Sequence, residues 1–175
     1  MNNKDDIEDR IILKRVSKGT VLQRPGDRKV QAFFVIKGLL RSYIIDSIGK
    51  EHTCMFASEE WIMADADLLN NRRSAILYIE ALEDSEIEIF DEDVFNEIEK
   101  FSTSILSEEI FSLIKKVNLY QNRILMLMSS TAFERYQYFL KTHPDLTQRV
   151  SLKMIASYLG ITPETLSVVR RKKKN

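Results

Sequence analysis

Two histidines, one cysteine, three prolines and five glycines are all that the 175 residues hold of these types. The single Cys54 excludes an intramolecular disulfide and a cysteine-ligated iron–sulfur cluster within one chain, and it suits a reducing compartment. His52 and His143 are too few for the clustered histidine and carboxylate ligands of a cupin-like metal oxygenase. No glycine-rich phosphate loop and no meaningful Ser-His-Asp spacing are present, so no catalytic or metal-ligating residue is assigned and an enzyme is not expected. Long apolar runs are missing too. "AFFVI" and "ILMLM" are far too short to span a bilayer, and the acidic start "MNNKDDIEDR" has no apolar core of a signal peptide. These absences predict a cytoplasmic protein with no membrane partner.

Net charge is also lacking: 26 basic residues balance 26 acidic ones, so bulk electrostatics gives no reason to expect a polyanion partner. The distribution says more. From Lys141 onward eight lysines and arginines face only Asp145 and Glu164, an excess of six positive charges in the last fifth of the chain. An acidic body with a basic end is the asymmetry of a protein that touches nucleic acid with that end alone. An apolar share of 44% supplies enough mass for a sizeable core.

Three textures follow one another. Ile7, Ile11 and Val16 stand at near-helical spacing in "IEDRIILKRVS", and Gly19 follows, which predicts a short helix. From Thr20 to about Phe90 the pattern is that of strands. "QAFFVIKGLLRSYIID" reads as two strands hinged at Lys37-Gly38, "RPGD" as a turn, and "SIGKEHTCMF" as a hairpin at Gly49. "RSAILYIEALEDSEIEIF" gives two more strands around Glu83-Asp84, with Ile87 and Ile89 alternating against Glu86 and Glu88. His52 fits a half-buried strand position better than a ligand. Many short strands with close turns imply an antiparallel sandwich or barrel. From about Asp91 the texture is helical. Leu106, Ile110, Leu113, Val117, Tyr120, Ile124 and Leu127 repeat in steps of four and three, a heptad seam that suits a partner helix or, more blandly, a helix packed on its own domain. Ser129-Ser130-Thr131 opens another helix, "AFERYQYFLKTHP", which Pro144 ends.

The last stretch, "SLKMIASYLGITPETLSVVRRKKK", predicts two short helices. Ser151 caps the first, which should bury Leu152, Ile155, Ala156 and Leu159, and Gly160 allows a left-handed turn. Thr162 caps the second, with Pro163 at its first position and Leu166 and Val169 turned inward. This is helix–turn–helix logic, although a helical hairpin alone is a common structural element. Helical spacing puts Pro163, Glu164, Ser167, Val168 and Arg171 on the outward face. There Glu164 can accept from a cytosine amino group and Val168 can touch a thymine methyl. Thr162 or Thr165 can bond phosphate, and Arg170, Arg171 and Lys172 to Lys174 can neutralise phosphates, unless "RRKKK" is only a solvated tail.

A β-barrel, a long seam helix and a helix–turn–helix in that order resemble the cyclic-AMP receptor and FNR (CRP/FNR) family of bacterial transcription regulators. "LGITPETLS" is similar to its cyclic-nucleotide-binding branch, and the resemblance covers nearly the whole chain. It implies an α+β fold: a jelly-roll (double-stranded β-helix) sensor over 1–100, a dimerisation helix over 101–128 and a helix–turn–helix domain over 129–175. It also implies a homodimer on a palindromic double-stranded DNA site, with RNA polymerase as a further candidate partner.

The chain departs from that family in two places. "RSA" at 73 to 75 matches the end of the phosphate cassette, so the resemblance puts Arg73 and Ser74 where a cyclic phosphate is gripped. The upstream half, "EEWIMADADLL", lacks the Gly-Glu that holds the ribose, and Asp65 and Asp67 bring negative charge towards an anion site. Cyclic AMP is therefore a doubtful ligand, and Arg73-Ser74 reads more readily as a polar loop leading into a strand. The β-wing expected after the recognition helix is not found before Asn175. Pro163 and Val168 also stand where arginines are frequent, whereas Glu164 and Thr165 match. The alternative function is a ligand-binding signalling module that acts on a protein partner.

Overall fold

The computed structural model describes residues 11–29, 31–65, 74–92 and 106–172, the stretch 106–117 by its backbone. The chain divides into two compact units, Met1–Phe101 and Ser102–Asn175.

The first unit holds eight described strands: β1 (Ile12–Val16), β2 (Val21–Gln23), β3 (Gln31–Lys37), β4 (Leu40–Ile45), β5 (Glu51–Ala57), β6 (Ile62–Ala64), β7 (Tyr78–Ala81) and β8 (Ser85–Asp91). They form two four-stranded sheets in the orders β1-β8-β3-β6 and β2-β7-β4-β5, with every pairing antiparallel. This is a jelly-roll-like sandwich. In β7 and β8 alternate residues face inward. Phe33 and Val35, Ile79 and Ala81, and Ile87 and Ile89 meet Val16, Leu40, Ala57 and Met63 in one core. Burial of each large side chain there stabilises the fold by roughly 1.5–3 kcal/mol.

The helix expected before Gly19 is not formed: residues 12–16 are β1, and residues 7–10 lie outside the described residues. Ile12 pairs with Ile89 and Val16 with Ser85, so β8 takes up the backbone hydrogen bonds that a lone helical turn would have kept to itself. Arg15 stands opposite Glu86, with a nitrogen 3.5 Å from its carboxylate, a cross-strand pair that helical periodicity cannot reveal.

The hinge read at Lys37-Gly38 is the tight β3–β4 corner. Gly38 has φ +111°, and a Cβ there would collide with the Ser85 side chain. Ser85 Oγ in turn accepts from Leu39 N–H at 3.3 Å and donates to Glu83 O at 2.8 Å. Across the sheet, Arg41 on β4 is nearly fully buried. Its guanidinium lies 2.8 Å from Glu51 Oε2, 2.6 Å from Glu80 Oε1 and 4.1 Å from the Tyr43 ring centroid.

The second unit is helical: α1 (Leu106–Ser129), α2 (Ala132–Thr142), α3 (Leu146–Arg149), α4 (Leu152–Tyr158) and α5 (Pro163–Lys172). Thr131 and Glu134 close a capping box at the start of α2, each side chain bonding the other's backbone N–H. Met126, Phe139, Leu146, Ile155, Ala156, Leu159, Leu166 and Val169 are buried. Leu152, expected inside, is 40% exposed. It is the first residue of α4, and only the positions one turn later reach the core.

Candidate functional site

The α4–α5 pair owes its shape to its caps. Ser151 Oγ accepts from Met154 N–H at 3.2 Å and starts α4. At the other end Gly160 adopts φ +65°. Ile161 N–H bonds Ala156 O at 3.0 Å and Gly160 N–H bonds Ser157 O at 3.1 Å, the two bonds of a Schellman turn. Thr162 Oγ1 then accepts from Thr165 N–H at 3.1 Å, which opens α5 with Pro163 at its first position.

Leu166 and Val169 anchor α5 from below, at 0% and 6% exposure. The opposite face is open: Thr162, Glu164, Ser167, Val168, Arg170, Arg171 and Lys172 are exposed and Thr165 is half-buried. All eight residues singled out from the sequence thus lie together on or at the start of one short helix. Three are already engaged locally. Ser167 Oγ donates to Pro163 O at 2.9 Å, and Thr162 and Thr165 hydroxyls stand 3.1 Å apart. The Glu164 carboxyl is held below its ordinary pKa by its own backbone N–H and by the Thr162 hydroxyl. It is therefore an anionic acceptor at neutral pH. The basic side chains cluster in the last turn of α5, while the only acid of the helix stands in the first. Lys173 and Lys174 lie outside the described residues.

Two arginines with no place in the sequence reading sit behind this face. Arg135 on α2 donates to Ser130 O, Leu159 O and Leu127 O at 3.0, 3.1 and 2.7 Å. Arg123 on α1 donates to Tyr158 O at 3.1 Å and stacks 4.2 Å from that ring's centroid. Beside them burial, with the Arg123 charge, lowers the pKa of His143, whose Nε2 is 3.4 Å from the Tyr158 hydroxyl.

The second candidate place is the loop between β6 and β7. Arg73 and Asp67 lie outside the described residues, and Ser74 is exposed. Asp65 does not project charge into an open anion site. It is 1% exposed, and its Oδ2 accepts from Ile76 N–H at 2.7 Å, Leu77 N–H at 2.9 Å and Gln23 Nε2 at 3.4 Å. The carboxylate thereby takes the two backbone donors that follow the Arg-Ser-Ala stretch. Sequence alone cannot show this, since Gln23 is 42 residues from Asp65.

His52 Nε2 lies 2.7 Å from Asp46 Oδ2 in the β4–β5 hairpin, where the aspartate also accepts from Ile48 and Lys50 N–H. No group of three His, Cys, Asp or Glu suited to a metal occurs among the described residues. None of the helices among them is long and apolar enough to cross a membrane.

On the α1 seam, the side chains of Leu106, Ile110, Leu113 and Val117 are outside the described residues. Tyr120 and Ile124 are 49% and 56% exposed, and Leu127 is half-buried.

Comparison with known proteins places this geometry. No curated protein matches the sequence. Among solved structures, the chain is similar to FixK2 from Bradyrhizobium japonicum, with TM-score 0.76 and 19% identity over 94% of this chain and 84% of that one. It is similar to the c-di-GMP responsive global regulator CLP of Xanthomonas campestris, with TM-score 0.72 and 16% identity over 98% and 90%. A protein of Eubacterium rectale described as a regulator of the crp/fnr family gives TM-score 0.73 and 20% identity over 99% and 84%. Such identities carry the fold. The family described as the cyclic nucleotide-binding domain matches residues 13–100, the whole of the sandwich from Leu13 onward. The chain thus belongs to the cyclic nucleotide-binding domain family, and its structural neighbours are regulators of the CRP/FNR type.

Proposed function

We propose that the protein is a homodimeric, sequence-specific DNA-binding transcription regulator of the cytoplasm. In this reading residues 1–100 form an effector domain, 101–128 a dimerisation helix and 129–175 the DNA-binding domain. One observation carries it: α5 is held from below by Leu166 and Val169 and presents Glu164, Val168 and a basic last turn on a single open face. That is the arrangement of a recognition helix, with short polar and apolar groups for base edges and cations for phosphates. The α1 seam would set two such helices about 34 Å apart, one turn of DNA, on a palindromic site.

The effector pocket is degenerate for cyclic nucleotides in this proposal. Asp65 supports that view, because it already uses the Ile76 and Leu77 donors. The effector domain would then sense another ligand, or none.

Selection of random duplex DNA by the purified protein, with and without cyclic AMP, tests both halves. A palindromic motif enriched equally in both arms is the expected result. Enrichment with the nucleotide alone would restore Arg73 and Ser74 as a phosphate site. No enrichment in either arm would count against DNA reading and favour a signalling module that docks on a protein.

A further inference from the structure

The last four carbonyls of a helix have no intrahelical donor and need partners from elsewhere. In α4 these are Ala156 to Leu159. The Schellman turn satisfies the first two, through Ile161 and Gly160 N–H. Side chains of other helices take the remaining two: Arg123 from α1 bonds Tyr158 O at 3.1 Å, and Arg135 from α2 bonds Leu159 O at 3.1 Å. Both guanidiniums lie at the negative end of the α4 dipole.

Arg135 does more than cap. Its Nη2 and Nε bond Leu127 O at 2.7 Å and Ser130 O at 3.0 Å, carbonyls at the C-terminal end of α1. One rigid planar group therefore ties the end of α1 to the end of α4, and its fork geometry fixes direction as well as distance. Arg123 adds a second tie one turn back along α1, and its ring stack falls on a Tyr158 that is 4% exposed. The turn itself rests on α1, since a Cβ on Gly160 would come within 3.2 Å of Leu127 Cδ2. Past that turn the chain enters α5 at once.

We propose that Arg123 and Arg135 are positioning residues that lock α1 to the α4–α5 turn, so that α5 follows any movement of α1 as part of one body. The clamp's bonds to Leu127, Ser130, Tyr158 and Leu159 end outside α5, so it governs where that face points and not what it contacts. It deepens the DNA-reading proposal, on which only one arm of the following test rests.

The test uses the full chain with Cys54→Ser and spin labels on Gln121→Cys in α1 and Lys153→Cys in α4, both exposed positions. Labelled protein is diluted with unlabelled protein, so that distances within one chain are read. A single narrow distance is expected, and it should broaden in Arg135→Lys, which keeps the charge but loses the fork, and in Arg123→Gln. Circular dichroism checks that helix content is retained. If Arg135→Lys loses helix content, Arg123→Gln alone decides. A folded variant whose distribution stays as narrow as that of the parent overturns the clamp.

The second arm measures binding to palindromes whose half-sites are moved apart by one base pair. The parent should prefer one spacing, and the clamp variants should lose about fivefold or more of that preference while keeping affinity for a single half-site. An unchanged spacing preference would also overturn the clamp. A parent that binds no DNA removes the DNA reading and leaves the distance arm to judge the clamp.

Discussion

Burial sets the chemistry of His143. The imidazole packs against Phe139 and Tyr158, with ring centroids 5.4 and 5.7 Å away, and both desolvation and the Arg123 charge oppose its protonation. Its folded pKa therefore lies below the unfolded value of 6.5. The unfolded state binds the extra proton as pH falls, so the neutral ring's contribution is complete above pH about 6.5 and declines below it, towards the folded pKa. Urea midpoints of the protein should drop between pH about 6.5 and 5 more steeply than those of His143→Phe. Parallel curves would mean that the ring is not desolvated as described. Arg41 gives the opposite lesson for charge. Its side chain is 4% exposed and Glu80 beside it is 15% exposed, whereas Glu51 is 40% exposed. Arg41→Met should cost about 3 kcal/mol, mainly by stranding Glu80, and adding Glu80→Gln should recover much of the loss. Chemical denaturation of the two variants checks this, and a double variant no better than the single one would contradict the assignment.

Helix ends and strand pairings show what could be read from residue order and what could not. The Gly160 corner was legible, because a glycine followed by Thr-Pro has few other uses between two apolar stretches. Gly160→Ala should destabilise the helical unit by about 1–2 kcal/mol, since φ +65° disfavours a Cβ and Leu127 stands close by. Thermal unfolding measures it, and an unchanged Tm would show that the turn relaxes freely. Strands β7 and β8 were legible for a similar local reason, as their inside–outside alternation fixes a face, whereas β3 was legible as a continuous apolar run before Gly38. β1 was not. Ile12, Leu13 and Val16 suit a helix or an edge strand alike, and only the long-range pairing with β8 decides between them. The exposed face of α5 came from spacing on one helix, whereas the Arg123 and Arg135 bonds and the Asp65 staple join segments that are distant in sequence. Asp65 shows the limit clearly. Read beside Arg73 it looks like charge aimed at a ligand, yet in the fold it bonds Ile76, Leu77 and Gln23.

For the molecule as a whole, the exposed end of α1 is the feature that a monomer explains least well. Met126 is buried among the helices of its own unit, whereas Tyr120, Ile124, Leu125 and Met128 are 49%, 56%, 59% and 79% exposed within nine residues. Tyr120 and Ile124 are positions of the heptad pattern that begins at Leu106, and the half-buried Leu127 is its next one. Isolated exposed apolar residues need no explanation, but four large ones within nine residues, on a helix that also carries a sequence seam, suit a partner surface. In the homodimer proposed above, a second copy of α1 would supply that surface. Ile124→Glu would place two carboxylates face to face in that seam while leaving Met126, Arg123 and the core of the helical unit untouched. Sedimentation should then show a dimer for the parent and a monomer for the variant. Affinity for a full palindrome should fall by about 100-fold, because two half-sites can no longer be held by one particle. Affinity for an isolated half-site should stay nearly constant, since α5 itself is unchanged. A variant that remains dimeric would move the interface off the α1 seam, and a monomeric parent that still binds the full palindrome tightly would remove the need for one.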